Sequence, residues 1–329
     1  MKSTVRMSNM ELLRIVSMMM VLTVHLDGAS LSLPNLDGNI AGATDRDWWR
    51  LIVEALAITG VNCFTMLSGY FGIRLTWRSA LCYLAQCAFY AVGVYTIMTC
   101  IQGRFTFGGW MESWMVLTHT DLWYVPAYFM LMLVSPVLNA GLEALDRRRY
   151  TVLLAVFVLF TLWAGWWWRG KFNSGGYTAW QLVMVYCMAR YMRRFECVPS
   201  RALSLLMFAV GTACIVGDAC FDLRRAFAYN SPFVLLSTVG VFGFFHSLRF
   251  RSRFVNMAAS GAFAVYLIHK NPLIWVGIVK HSTLVAWKTM PLWQFSMMVL
   301  IAVPMIYMIC ATIDLLRARL FDLIGLRKG

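Results

Sequence analysis

The sequence predicts an all-α protein, a polytopic transmembrane bundle of about ten helices with both termini in the cytoplasm. Of its 329 residues, 60% are hydrophobic and only 13% are charged, which is too apolar for a soluble domain of this length. Apolar segments of ~20 residues, each able to cross a hydrocarbon core of ~30 Å, follow one another along the chain. Basic residues concentrate in alternate loops between these segments.

The predicted spans account for nearly the whole chain. They cover residues 10–26, 48–71, 77–101, 122–142, 150–168, 176–192, 201–219, 230–248, 260–280 and 291–316. Each is expected to be helical, because lipid offers no partner to an unpaired backbone N–H or C=O group. Residues 1–329 are therefore expected to form a single integral-membrane domain, without an appended soluble domain.

The net charge of +14 is explained by this topology. With the N-terminus inside, roughly two thirds of the Lys and Arg residues fall in inner loops and tails, as the positive-inside rule requires. The charge therefore does not indicate a nucleic-acid partner. The nine cysteines form no CxxC pair and no His/Cys ligand spacing, so neither a disulfide framework nor a metal site is expected.

The first span, in the stretch NMELLRIVSMMMVLTVHLDG, carries ionisable residues. At about 100° per residue, the eleven steps from Arg14 to His25 end within about 20° of the starting direction, so both share one helix face. Glu11 lies on that face and can pair with the Arg14 guanidinium. Such residues usually face a bundle interior or a water-filled cavity, which predicts a path across the membrane. The alternative is a snorkelling anchor at Arg14 and an interfacial residue at His25.

The second span ends in the stretch SGYFGIR. In the predicted topology it brings Ser68, Gly69, Tyr70 and Arg74 to the cytoplasmic end, at the level of Arg14. A Ser-Gly pair lets another helix or a ligand approach the backbone closely. Simple helix packing, with Arg74 as a topological anchor, is the alternative interpretation.

Two later spans carry further polar residues. The fourth begins at the outer face with Asp121, Trp123 and Tyr124, and the ninth contains His269 shortly before Pro272. Proline removes a backbone donor and kinks a helix, and a kinked segment with ionisable residues is expected to border a polar cavity. The alternative for His269 is a hydrogen bond to a neighbouring carbonyl.

These motifs, in this order, resemble the acyltransferase-3 family of bacterial integral-membrane O-acyltransferases. The matching features are Arg, ten residues and His in the first span (Arg14 to His25), the Ser-Gly-aromatic motif with its following Arg (Ser68 to Tyr70, and Arg74), LWYV…SP.LN from Leu122 to Asn139, and YLIH from Tyr266 to His269. The resemblance covers nearly the whole chain. It implies an acyl-CoA donor on the cytoplasmic side, by default acetyl-CoA.

The resemblance also implies an acceptor, a membrane location and the kind of partner. The acceptor would be a hydroxyl of a cell-surface or secreted glycan, or of a lipid-linked sugar, and the protein would lie in the bacterial cytoplasmic membrane among its lipids. Some members of the family carry an extracytoplasmic domain for which this chain has no room. A partner needed to finish transfer outside would therefore be a separate polypeptide.

Acyl transfer from a thioester to an alcohol needs a base for the alcohol proton and a stabiliser for the developing oxyanion. His25 is the predicted base, because imidazole exchanges a proton near neutral pH. Arg14 and Arg74 are expected to bind the phosphates or pantetheine of the donor. Ser68, Gly69 and Tyr70 complete the predicted donor site, and Glu11, Asp121, Trp123, Tyr124 and His269 are assigned to the acceptor side or to support. A covalent acyl-histidine intermediate is an alternative to direct transfer.

Two other classes of function stay open at this level. A transporter or flippase would use the same buried Arg and His for substrate binding and proton relay. It would also interrupt helices at corresponding positions of two halves, and the sequence has no convincing pair of such interruptions. An assembly or sensor protein without turnover would not require Arg14 and His25 to act together.

Overall fold

The computed structural model describes residues 6–118, 121–323 and 325, and these residues form helices joined by short connections. No β-strand occurs among them, so the predicted all-α class is confirmed. The α-helices are α1 Ser8–Val24, α2 Asp45–Ala57, α3 Gly60–Phe71, α4 Trp77–Ile101, α5 Phe107–Glu112, α6 Tyr124–Ala144, α7 Arg147–Phe160, α8 Ala179–Arg194, α9 Arg201–Ala219, α10 Leu223–Ala226, α11 Pro232–Ser247, α12 Arg253–Ala258, α13 Ala262–His269, α14 Pro272–Ile274, α15 His281–Thr289 and α16 Leu292–Leu323.

Many of these helices begin after a short polar residue whose side chain accepts a backbone N–H of the first turn. Such caps satisfy donors that a helix leaves unpaired at its start. They are Thr44, Thr76, Thr106, Asp146, Thr178, Ser200, Asp222, Ser252 and Asn271. These helix starts are thus encoded locally, by single polar residues at the edges of apolar runs.

Seven helices in the described part of the chain are long and apolar enough to cross a membrane. They are Ser8–Ala29, Asp45–Phe71, Trp77–Ile101, Tyr124–Ala144, Arg147–Trp167, Arg201–Ala219 and Leu292–Leu323, and a bent pair makes eight if it counts as one span. The protein is therefore a multi-pass membrane protein. The count of ten spans and the cytoplasmic termini stay predictions, and both chain ends, residues 1–5 and 326–329, lie outside the described residues.

Two of the predicted spans form helices shorter than the others. Pro232–Ser247 and Ala179–Arg194 have 16 residues each. At ~1.5 Å per residue this gives ~24 Å, less than a hydrocarbon core of ~30 Å. Pro232–Ser247 is thus apolar but short, whereas Ala179–Arg194 is short and also carries Arg190, Arg193 and Arg194 near its end.

The ninth predicted span is broken. The helix that ends at His269 and the helix that begins at Pro272 are bent by 67°. Proline has no N–H to continue the first helix, and Asn271 Oδ1 accepts the N–H of Leu273 at 3.2 Å to start the second. The predicted kink is confirmed, and it leaves His269 as the last residue of α13.

α3 runs antiparallel to α1 and packs closely on α8. At its start, a Cβ on Gly60 would lie 2.6 Å from the carbonyl oxygen of Ser17 in α1. Towards its end, a Cβ on Gly69 would lie 2.5 Å from the carbonyl oxygen of Tyr186 in α8. Both glycines allow backbones to meet at distances that any side chain would prevent.

Gly69→Ala is expected to destabilise the protein by about 1–3 kcal/mol, the usual effect of overpacking. The added methyl group would overlap the Tyr186 carbonyl, which is part of α8 and cannot rotate aside. The matched control is Gly93→Ala in α4, where nothing lies within 4 Å of the added Cβ, so helix propensity alone should stabilise it by up to ~1 kcal/mol. Thermal unfolding in detergent measures both. Equal melting temperatures for the two variants would contradict the packing argument.

Candidate active site

His25 lies where α1 changes its helical geometry. From Val24 the chain continues into a π-helical turn, His25–Ala29, and Ser30 Oγ donates to the carbonyl oxygen of His25 at 2.8 Å. Such π turns are rare and frequently occur at functional sites. They also break the 3.6-residue repeat, so the directions of side chains after Val24 do not follow from α-helical periodicity.

The imidazole of His25 pairs with that of His269. His25 Nδ1 and His269 Nε2 lie 2.8 Å apart, and His269 Nδ1 lies 2.5 Å from the carbonyl oxygen of Val265. A carbonyl oxygen only accepts, so His269 Nδ1 carries the proton, and in the neutral ring Nε2 is then an acceptor. His25 therefore donates from Nδ1, which leaves its Nε2 unprotonated. The hydrogen-bond chain holds neutral His25 in the tautomer that a base requires.

His25 also lines a cavity of about 470 Å³, within the ~300–1,000 Å³ range of small-molecule sites. The cavity wall combines aromatic and ionisable side chains: Trp123, Tyr177, Tyr229, Tyr266, Glu54 and Lys270. Around His25 itself, the Trp275 ring lies edge-on with its centroid 5.6 Å from the imidazole. Aromatic rings thus form much of the wall around His25, and Glu54 and Lys270 are ionisable groups in the same wall.

Three charged side chains next to this cavity were not singled out from the sequence. Arg50 Nε donates to Asp27 Oδ1 at 2.6 Å, and these side chains are only 7% and 3% exposed. Glu54, one turn after Arg50 in α2, is 3% exposed. A signal was available, because Arg50 and Glu54 fall inside the predicted span 48–71, and ionisable residues within membrane spans are candidates for function.

The ion pair predicted in α1 is confirmed. Arg14 Nη1 donates to Glu11 Oε2 at 2.7 Å. The Arg14 side chain is 31% exposed and lies within electrostatic reach of the Tyr128 hydroxyl. Ser68 Oγ lies 3.0 Å from that hydroxyl. The structure therefore brings Arg14 and Ser68 to one region through Tyr128.

A column of tyrosines joins this region to His25. Ring centroids are 5.5 Å apart for Tyr128 and Tyr124, 6.1 Å for Tyr124 and Tyr266, and 6.4 Å for Tyr266 and His25. The Tyr124 hydroxyl lies 3.4 Å from Thr65 Oγ1. Aromatic side chains thus border the interior between the two ends of the path that the sequence predicts.

The other motif residues near the end of α3 diverge from Ser68. Gly69 packs against the backbone of α8. The Tyr70 hydroxyl lies 2.8 Å from His246 Nε2, on α11, and Arg74 is exposed beyond the helix end. Of these predicted donor-site residues, Ser68 is the one that contacts Tyr128.

Asn139, at the end of the LWYV…SP.LN segment, fixes the turn that follows α3. Its Nδ2 donates to the carbonyl oxygen of Ile73 at 2.9 Å, and its Oδ1 accepts the Tyr186 hydroxyl at 2.7 Å. The same hydroxyl accepts the Ile73 N–H at 3.0 Å. This closed set of bonds holds the exit of α3 between α6 and α8.

The predicted acceptor-side residues occupy different places. Trp123 lines the cavity of His25, and Tyr124 belongs to the tyrosine column. Asp121 instead lines a second cavity of about 580 Å³, together with Glu112 and Asn271. In the described part of the chain, no group of three His, Cys, Asp or Glu side chains is arranged to hold a metal ion.

Comparison with known families places the chain in a family. The model of a family described as an acyltransferase domain, the acyltransferase-3 type, matches residues 7–311. No curated protein and no solved structure matches the chain. The matched range includes every residue of the cavity and of the tyrosine column.

Proposed function

Because this chain belongs to the acyltransferase-3 family, we propose that it moves an acyl group, acetyl by default, from cytoplasmic acetyl-CoA to a hydroxyl group of a cell-surface or secreted glycan. The observation that carries this proposal is the neutral His25, held by His269 with its Nε2 unprotonated, in the wall of a cavity. The protein would lie in the bacterial cytoplasmic membrane.

His25 Nε2 accepts the proton of the acceptor hydroxyl as the hydroxyl oxygen attacks the thioester carbonyl carbon. The tetrahedral intermediate collapses by breaking the carbon–sulfur bond, and the departing thiolate of CoA takes up the proton from His25. The products are the O-acyl ester and free CoA. Both ring nitrogens of His269 are engaged in hydrogen bonds, which favours a positioning role for this residue over oxyanion stabilisation.

The donor lies along the tyrosine column in this proposal. Arg14 binds a phosphate or the pantetheine arm, because guanidinium pairs with phosphate in two-point geometry. Glu11 orients that guanidinium through the 2.7 Å bond. Ser68 contributes a hydroxyl in the same region, and the exposed Arg74 is assigned to the first electrostatic capture of the anionic donor.

The acceptor approaches from the opposite end. Trp123 lines the cavity of His25 and is assigned to contact the sugar. Asp121 lines the neighbouring cavity and is proposed to meet the parts of a long glycan that extend beyond the reacting sugar. A separate extracytoplasmic polypeptide that completes transfer is compatible with this arrangement. Family membership does not favour the transporter or flippase alternative.

Free CoA should appear when the purified protein in nanodiscs receives acetyl-CoA together with a glycoside acceptor, and Arg14→Ala is expected to raise KM for acetyl-CoA by roughly 10-fold or more, since it removes a charge-assisted pair worth about 1.5–3 kcal/mol. The rate at which the free thiol of CoA appears measures the activity, and its dependence on acetyl-CoA concentration gives KM. The matched control is Arg149→Ala, whose side chain is 77% exposed on α7. A transporter would release no CoA, and an unchanged KM for Arg14→Ala would remove this arginine from the donor site.

A further inference from the structure

Glu54 is a buried carboxyl group in the wall of the cavity that contains His25. Glu54 is only 3% exposed. Oε1 lies against the backbone of Gly28, where an added Cβ would come within 2.7 Å of it. Oε2 has no hydrogen-bonding partner among the described residues. An unpaired buried carboxyl oxygen destabilises a fold, so its retention points to a ligand that pairs with it.

The guanidinium of the neighbouring Arg50 does not form a hydrogen bond with Glu54 Oε2. Arg50 gives its Nε to Asp27 at 2.6 Å and its Nη1 to the carbonyl oxygen of Ser32 at 3.3 Å. In this cluster Asp27 Oδ2, Arg50 Nη2 and Glu54 Oε2 are all buried without a hydrogen-bonding partner among the described residues. A ligand rich in hydroxyl groups would match this set, because a hydroxyl both donates and accepts.

The aromatic wall beside Glu54 is held in place by buried amides. Tyr177 lies with its ring centroid 5.0 Å from Trp123 and 4.9 Å from Tyr229. The carbonyl oxygen of Tyr229 accepts Asn62 Nδ2 at 2.8 Å and Gln181 Nε2 at 2.9 Å. Both amide side chains are fully buried. The rings therefore form a preorganised surface, which lowers the cost of binding.

We propose that this wall is the acceptor subsite and that it takes a neutral sugar ring. Glu54 accepts hydrogen bonds from hydroxyls adjacent to the one that is acylated, and the rings of Trp123 and Tyr177 cover the apolar face of the sugar. His25 and Glu54 line one cavity, so a sugar between them presents one hydroxyl to the base and its neighbours to the carboxyl group. This inference rests on the proposed acyl transfer.

The test compares wild type with Glu54→Gln, which keeps the shape of the side chain and one of its two acceptor oxygens. The matched control is Asp45→Asn, because Asp45 lies on the same helix and is exposed. Labelled acetyl-CoA supplies the acyl group, and methyl glucoside, methyl galactoside and methyl N-acetylglucosaminide are the acceptor probes. KM is measured separately for glycoside and for acetyl-CoA, with thermal unfolding of each variant.

Glu54→Gln should raise KM for the accepted glycoside about tenfold, because the amide nitrogen that replaces Oε2 cannot accept the sugar hydroxyl and leaves it unpaired in a buried site. KM for acetyl-CoA should stay near the wild-type value and the melting temperature should not fall, a combination that a merely structural residue would not give. An unchanged glycoside KM would overturn the subsite. Release of CoA without transfer to any glycoside would also overturn the subsite, because it would show thioester cleavage with water as the acceptor, whereas absence of CoA release would overturn the proposed function itself.

Discussion

Replacing His25 with alanine is expected to lower the rate of acetyl-CoA-dependent acyl transfer by roughly 10²–10⁴-fold, the range for losing a general base. The variant removes His25 Nε2. Within the described His25–His269 pair, this is the nitrogen that carries no proton and has no partner in the hydrogen-bond chain. Release of free CoA from purified protein in nanodiscs is the measurement, with expression and melting temperature matched to wild type.

His281→Ala is the control for this experiment, because His281 is an exposed histidine at the start of α15. It should keep the wild-type rate. If the His25 variant keeps that rate as well, His25 is not the base. Loss of CoA release together with an unchanged melting temperature would place the defect in chemistry and not in folding.

Arg50→Met is expected to destabilise the protein by about 3–5 kcal/mol, the usual effect of removing one partner of a buried ion pair. The substitution would leave the Asp27 carboxyl group without its ion-pair partner, in surroundings where the two side chains are only 3% and 7% exposed. Adding Asp27→Asn to Arg50→Met should recover most of the loss, because it removes the carboxylate that has lost its partner. Thermal unfolding in detergent measures the series.

An exposed ion pair provides the comparison for this prediction. Arg149 Nε lies 3.4 Å from Asp146 Oδ2, and the two side chains are 77% and 58% exposed. Arg149→Met should change stability by less than ~1 kcal/mol, since water screens such pairs. Equal destabilisation by Arg50→Met and Arg149→Met would mean that burial does not increase the contribution of the Arg50–Asp27 pair to stability.

Several parts of the site could be predicted from local sequence. The Glu11–Arg14 pair follows from a three-residue separation on one helix. The bend before Pro272 follows from a missing backbone donor. The helix class follows from apolar runs that lipid cannot accept in any other conformation. Each of these depends on residues close together in the chain, where the geometry of one helix decides the outcome.

Other parts could not be predicted, because helical periodicity identifies a face but not its neighbour. Ser68 and Tyr70 lie two residues apart, and the structure turns them to different helices, Ser68 to Tyr128 on α6 and Tyr70 to His246 on α11. A motif written as consecutive letters therefore does not correspond to one binding surface. The burial of Glu54 beside the cavity likewise depends on how α2 packs against the π-helical turn after α1.

The sequence by itself thus determined that this protein is a helical membrane protein with an ionisable first span, since apolar length and local charge spacing suffice for that. Only the tertiary structure decided that His25 meets His269, 244 residues away, and that Glu54 lines the same cavity as His25. The physical reason is that a hydrogen bond requires two groups within about 3 Å. Residues so far apart in sequence reach that distance only through the packing and bending of several helices.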